Sequence, residues 1–273
     1  DTIPAAGGTD TIVYEAGLAA RGLEPAGSQS GNVADPVTAS GTVGFSSPDG
    51  VQTVSLGGHV LTGTAQTFAD GTTGQLTASY SYDASTGLGT ISYSYTLIDN
   101  TLTDPSSASF AVVVTDADGD SATPGNLVIT IVDDVPTANP DGNSDGAGIH
   151  TAITGNVVTG ANETDPTADA DVKGADGVSV TSAYGTGAAQ PVGTNTVIAG
   201  QYGTLTLSSD GSYSYVRSAN TAGGVSDVFN YTLTDGDGDQ SSTTLTISIG
   251  DSTPTDTIPA AGGTDTIVYE AGL

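Results

Sequence analysis

Apolar and polar residues alternate with a period of two along most of this chain. Gln75 to Tyr82 reads QLTASYSY and Gly89 to Leu97 reads GTISYSYTL, and the DASTGL between them predicts a β-hairpin with a glycine-containing turn. FAVVVT at Phe110 to Thr115 and LVITIV at Leu127 to Val132 predict a second pair. Further along, GTLTL at Gly203 to Leu207 and SYSYV at Ser212 to Val216 flank SSDG, and FNYTLT at Phe229 to Thr234 pairs with TLTISI at Thr244 to Ile249. No segment keeps a 3.6-residue apolar period between caps. The chain is predicted to be all β.

The two halves repeat one another weakly. SYSY at Ser92 to Tyr95 returns at Ser212 to Tyr215, TDADGD at Thr115 to Asp120 returns as TDGDGD at Thr234 to Asp239, and DDVP at Asp133 to Pro136 returns as DSTP at Asp251 to Pro254, offset by 118 to 120 residues. Each half suits one immunoglobulin-like sandwich of about 7 short strands in ~100 residues. Domains are therefore expected at 1–135 and 136–255. Pro136 and Pro140 stiffen the connection between them, because proline fixes φ and cannot donate to a ladder. DTIPAAGGTDTIVYEAGL at Asp1 to Leu18 also recurs without a change at Asp256 to Leu273, so 256–273 reads as the first strand of a further copy. Identical tandem units suit a spacer or a multivalent surface protein better than an enzyme. The expected fold is two tandem immunoglobulin-like (cadherin-like) β-sandwich domains in an elongated rod.

Charge changes the picture most. Thirty-one Asp and Glu face three basic residues, Arg21, Lys173 and Arg217, for a formal net charge of −28. No basic patch exists to neutralise phosphates, which excludes nucleic acid, and an anionic membrane surface would repel the chain. So large an excess disfavours the compact state unless cations sit among the carboxylates. Cys, Met and Trp are absent, and no apolar run is long enough to span a bilayer as a helix. Without Cys there is no disulfide to stabilise the fold.

The acidic residues cluster at turns and linkers: Asp116, Asp118 and Asp120; Asp133 and Asp134; Asp165, Asp169 and Asp171; Asp235, Asp237 and Asp239; Asp251. In D-x-D-G-D, alternate carboxylates can aim at one point while Gly119 or Gly238 permits the bend, a donor set suited to a hard cation that takes 6 to 8 oxygens. Calcium is the expected ion. The last strand of each domain runs to its trailing end, so the turn before it lies at the leading end. Asp235, Asp237 and Asp239 should then approach Asp133 and Asp134, with Asp141 a further candidate. By the same reasoning Asp116, Asp118 and Asp120 would sit near the start of the first domain with Glu15 as partner, and Glu270 would serve the next repeat.

DTIVYEAGL at Asp10 to Leu18 and FAVVVTDADGDSATPGNLVITIVDDVPTA at Phe110 to Ala138 resemble repeats of giant type I-secreted RTX adhesins of Gram-negative bacteria. GNVVTGANETDPTADAD at Gly155 to Asp171 and YTLTDGDGDQSSTTLTISI at Tyr231 to Ile249 look like the cadherin-like or VCBS-type repeats of the same proteins. Arg21 to Gly74 carries no matching motif. The resemblance implies an extracellular extender on the bacterial cell surface. Ca²⁺ at its junctions would stiffen it, and it would hold a terminal ligand-binding region away from the cell for attachment and biofilm formation. The partners implied are neighbouring repeats of the same chain, in a monomeric segment. The GGxGxDxUx nonapeptide of the β-roll is absent, and Ser252 stands where the first linker has Asp134, which implies weaker binding there. Such a chain would stay unfolded at low calcium during export and fold outside, since a ligand held only by the native state stabilises it.

Two other readings compete. His59 and His150 are the available neutral-pH bases, and neither lies in a triad or zinc motif, so no enzyme is expected. A carbohydrate-binding or cell-adhesive sandwich would need exposed aromatics. Tyr80, Tyr82, Tyr93, Tyr95, Tyr213 and Tyr215 alternate on neighbouring strands, a pattern that suits cross-strand packing on one face.

Overall fold

A computed structural model describes residues 11–71, 73–148, 151–164 and 170–253. Two layered units follow one another. In the first, one sheet takes β2 (Thr38–Ser46), β7 (Leu88–Leu97), β6 (Gly74–Asp83) and β5 (Gln66–Asp70) in that spatial order. The facing sheet runs β1 (Ile12–Tyr14), β9 (Gly125–Val132), β8 (Ser106–Thr115), β3 (Thr53–Leu56) and β4 (His59–Val60).

The second unit repeats this order strand for strand. β11 (Ile153–Asn156), β16 (Ser212–Arg217), β15 (Gly203–Leu207) and β14 (Thr196–Ala199) form its four-stranded sheet. Against it lie β10 (Asp141–Asp145), β18 (Gln240–Ile249), β17 (Val225–Asp235), β12 (Val178–Tyr184) and β13 (Gln190–Pro191). SYSY falls on β7 and on β16, and the two D-x-D-G-D turns close the β8–β9 and β17–β18 hairpins. Both units are immunoglobulin-like β-sandwiches, and their faint sequence likeness is one topology used twice.

Alternation drives the layering. Leu127, Ile129 and Ile131 of β9 point inward while Asn126, Val128 and Thr130 face out, the period-two pattern of a half-buried strand. One core gathers Leu56, Leu76, Ile91, Tyr95 and Leu127; the other gathers Ile198, Leu205, Tyr215, Phe229 and Leu245. Each fully buried side chain of this size stabilises its unit by about 1.5–3 kcal/mol.

The tyrosines belong to these cores. Tyr93, Tyr95, Tyr213 and Tyr215 are all buried, and Tyr80 and Tyr82 are partly so. Their rings lie over glycines of neighbouring strands: a Cβ on Gly74 would stand 2.2 Å from the Tyr95 hydroxyl, and one on Gly203 2.3 Å from that of Tyr215. Tyr82 stacks on Phe45 with ring centres 6.3 Å apart and donates to the Ser47 carbonyl. The row of exposed rings that sugar binding would require is not formed.

One pairing decides where the acidic residues go. β1 runs parallel to β9, with Tyr14 opposite Val132. Glu15, next in the chain, therefore stands at the trailing end of the first sandwich beside Asp133. That is the length of β9 away from Asp116, Asp118 and Asp120, so the expected partnership between Glu15 and that turn does not exist.

Candidate metal centre at the junction

Carboxylates from both sandwiches meet where the first ends and the second begins. Glu15 opens a 3-10 turn, Glu15–Gly17, and is fully buried. Its Oε1 accepts from the Thr101 amide at 2.7 Å and the Thr101 hydroxyl at 2.8 Å, while Oε2 has no donor. Asp133 follows β9, and Asp104 comes from the loop before β8. From the second sandwich come Asp176, just before β12, and Asp235 and Asp237 of the β17–β18 turn.

The geometry is close. Carboxylate oxygens of Asp104, Asp133 and Asp237 lie within 4.8 Å of one another, as do those of Asp176, Asp235 and Asp237. Asp237 belongs to both sets. Buried oxygens on Glu15, Asp133, Asp176, Asp235 and Asp237 lack any donor. Among the described residues the ion pairs are those of Arg21 with Glu24 and Asp99, neither of them in the cluster.

Burial raises the proton affinity of these groups. Asp133 is pushed up to about 8, by desolvation first and then by Asp104, Asp237 and Glu15 around it. Desolvation, followed by Asp237, lifts Asp235 to about 7. Glu15 and Asp176 are raised in the same direction, each chiefly by burial. Buried carboxylates with unmet oxygens must either hold protons or meet a cation. An all-oxygen donor set of this charge fits a hard divalent ion such as Ca²⁺, and the residues that would hold it are Glu15, Asp104, Asp133, Asp176, Asp235 and Asp237.

The other acidic residues divide. Asp134 turns away from the cluster: its carboxylate accepts from the Ser28 amide at 2.7 Å and from the Ser28 hydroxyl. Asp235 also shapes its turn, with Oδ1 accepting from Gly238 at 3.0 Å and Asp239 at 2.7 Å, so only Oδ2 faces the cluster. Among the described residues the Asp239 side chain has no hydrogen-bond partner. At the other hairpin, Asp116 Oδ1 accepts amides of Asp118, Gly119 and Asp120. Asp116, Asp118 and Asp120 still bring oxygens within 4.8 Å of one another, with Asp118 and Asp120 exposed. In both turns the glycine has the positive φ the bend requires, 103° at Gly119 and 114° at Gly238.

Asp141 does not join the junction. It is buried in β10, where the Tyr231 hydroxyl lies 2.6 Å from its Oδ2 and 3.1 Å from an Asp171 oxygen, one proton within reach of both. Asp251 follows β18 as Asp133 follows β9, and it is exposed. Asp165, Asp169 and Glu270 lie outside the described residues. Sequence reasoning missed Asp104, Asp176 and Glu163. Asp176 had one signal, the GADG that opens a strand, whereas Asp104 and Glu163 stood alone in polar loops.

The stretch with no matching motif builds the junction's flank. Residues 19–36 form a loop that leaves β1 and lies against the second sandwich. Arg21 Nη2 donates to the Ala175 carbonyl at 2.8 Å, a Cβ on Gly177 would stand 3.6 Å from the Pro25 ring, and Ser28 holds Asp134.

No family model matches the sequence, and no curated protein matches it. Solved structures that resemble the fold include the zebrafish RET cadherin-like domains 1 to 4, at 12% identity and a TM-score of 0.29, covering 90% of this chain and 51% of that one. Mouse clustered PcdhgC3 EC1-3 gives 11% identity and a TM-score of 0.27, covering 88% of this chain and 64% of that one. The D00-D0 domain of intimin gives 12% and 0.22, covering 76% and 92%. This chain spans about half the length of the RET fragment. At these identities and scores no function passes from them to this chain.

Proposed function

We propose that this chain is a calcium-rigidified extender: a segment of a bacterial cell-surface adhesin of the RTX type that spaces a distal binding region from the cell. The observation that carries the reading is the junction itself. Six carboxylates from five separate segments of two sandwiches converge there, with unmet buried oxygens on five of them. Repulsion among them would push the sandwiches apart, and one or two shared cations would turn that repulsion into a joint of fixed angle. The role is mechanical and not catalytic.

Alternate junctions of a tandem array would differ in strength. Asp145 lies opposite Ile249, so counting on places Ala147 beside Asp251, where Glu15 stands beside Asp133. Ser252 stands where the first junction has Asp134, a residue bonded to Ser28 and turned away from the cluster, so this change removes no ligand. An array of this unit would alternate firm joints with looser ones built from Asp251 and a following Asp116, Asp118 and Asp120 turn.

Thermal unfolding in excess EDTA, in millimolar CaCl₂ and in MgCl₂ of equal ionic strength tests the proposal. A rise in Tm specific to calcium, with solution scattering that becomes that of a stiffer rod, is expected. Equal Tm in all three would refute it. The carbohydrate-binding alternative would then need a surface other than the tyrosine strands, whose rings are packed inward.

A further inference from the structure

A second group of carboxylates lies inside the second sandwich, away from the junction, and it combines Asp141, Glu163 and Asp171. Asp141 is 4% exposed and Asp171 6%, and Glu163 is partly buried. The donors available to them are few. Tyr231 has one hydroxyl hydrogen, and both Asp141, at 2.6 Å, and Asp171, at 3.1 Å, lie within reach of it. The Asn139 amide donates to Asp171 Oδ1 at 2.7 Å. Asp141 Oδ1 and both Glu163 oxygens are buried with no donor in hydrogen-bond geometry, although the Gly142 amide and the Tyr213 hydroxyl lie near enough to Glu163 to favour its charged form.

The backbone holds these groups in place. The Thr164 amide donates to the Gly142 carbonyl at 3.2 Å, and its hydroxyl bonds Asn143 and Ser144, which fixes Glu163 against β10. On the other side, paired amide bonds between Thr137 and Val172 and a bond from the Asp171 amide to the Val158 carbonyl clamp the third carboxylate. The Asp141 and Glu163 carboxyl groups are neighbours, and after burial the nearby Glu163 charge further raises the proton affinity of Asp141. Among the described residues Lys173 acts on Asp171, and its effect ranks last among the causes there. Burying three carboxylates with so little compensation is costly unless a positive charge enters with them.

We propose that Asp141, Glu163 and Asp171 form an intradomain site for a hard divalent cation, calcium-sized and bound by oxygen, that locks β10 and the segment after β11 onto β17 of the second sandwich. The site is separate from the junction and does not depend on the extender reading. Its effect is to staple the leading strand of the sandwich to its core independently of what the neighbouring unit does.

Calcium stoichiometry by titration calorimetry on the full chain tests this, using parent, Asp141→Asn with Glu163→Gln, and Asp237→Asn. Tyrosine-sensitised terbium luminescence gives a parallel readout, because the chain has no Trp and the Tyr231 hydroxyl touches two of the carboxylates. The double variant is expected to bind one ion fewer and to lose terbium signal that Asp237→Asn retains. In EDTA it should melt no lower than the parent, since it relieves repulsion, whereas a merely structural role for the carboxylates would lower Tm there. If it binds as many ions as the parent, the inner site is wrong, whatever the junction variant does. Should the double variant fail to fold, Glu163→Gln alone carries the test, as it leaves the bonds to Asp141 and Asp171 intact, and an unchanged ion count would again refute the site.

Discussion

Arg21 reaches from the first sandwich to the second and donates through Nη2 to the Ala175 carbonyl at 2.8 Å. The same guanidinium holds Asp99 at 3.0 Å and Asn100 at 3.1 Å, so it spans the joint as a three-way clamp. It needs no metal. One flank of the joint is therefore held by protein contacts alone.

Replacing Arg21 should expose this division of labour. Arg21→Ala is expected to cost about 1–2 kcal/mol of stability in EDTA, the scale of a partly buried charge-assisted hydrogen-bond set. Arg21→Lys should recover little of it, because a point charge cannot reach several acceptors as the planar fork does. Scattering should show a broader spread of shapes in EDTA than the parent gives, and a smaller difference in calcium. Identical EDTA profiles for parent and variant would mean the clamp is incidental.

Asp133 and Asp134 are neighbours with opposite roles. Asp133 faces the cluster, and Asp134 is spent on Ser28. Asp133→Asn and Asp237→Asn should each remove most of the calcium-induced rise in stability. That rise is about 2.7 kcal/mol when free ion is 100 times Kd. Asp134→Asn should lower stability about equally with and without calcium and leave the difference between the two conditions nearly intact. Melting curves of the three variants at matched calcium would separate the roles, and a calcium response lost in Asp134→Asn would overturn the assignment.

Much of this was legible in the sequence, and the part that was not has a physical cause. Period-two alternation marked both central hairpins, since a strand with one buried face must alternate. The D-x-D-G-D turns placed Asp237 beside Asp133, because a hairpin fixes which end its turn occupies. The position of Glu15 could not be read that way. β1 has three residues, and whether so short a strand pairs parallel or antiparallel depends on the edge left open by β9 and not on its own pattern. Asp104 and Glu163 were hidden for a similar reason: a lone acid in a loop has no spacing to announce it, and only the folded chain brings it to its partners. The first acid of each turn has a second job that spacing does not show: Asp116 and Asp235 use one oxygen to cap their own turn amides, the ordinary work of Asp at a bend.

Acidity should act on stability in opposite directions with and without the ion. Burial lifts Asp133 to about 8 and Asp235 to about 7, above the ~3.9 of an unfolded aspartate. Between those values the folded chain binds more protons than the unfolded one, so stability falls as pH rises. In EDTA, Tm is thus expected to decline from about pH 4 to about pH 8 through these two groups. In calcium the trend should reverse, because the ion must displace the protons and binds better as they leave. Tm measured across this range in both conditions checks the sign, and parallel curves would show that the cluster does not meet the ion.

The tyrosine rings make the last test, one of packing and not of charge. Tyr215 folds over Gly203 and donates at 2.7 Å to Asp227, which is buried and also accepts the amides of Gln201 and Tyr202. A methyl group at Gly203 would meet the Tyr215 hydroxyl oxygen at 2.3 Å, its Cζ at 2.4 Å and the Val216 carbonyl at 2.6 Å. Neither the ring nor the β16 backbone can yield without breaking the bond to Asp227. Gly203→Ala should therefore cost about 1–3 kcal/mol, the usual penalty of overpacking a filled core. Combining it with Tyr215→Phe should restore part of that loss by removing the clashing oxygen, though the freed Asp227 acceptor keeps the recovery incomplete. Urea unfolding of the two single variants and the double, at fixed calcium, gives the coupling energy. Strict additivity would mean that ring and glycine do not touch in solution as they do in this fold.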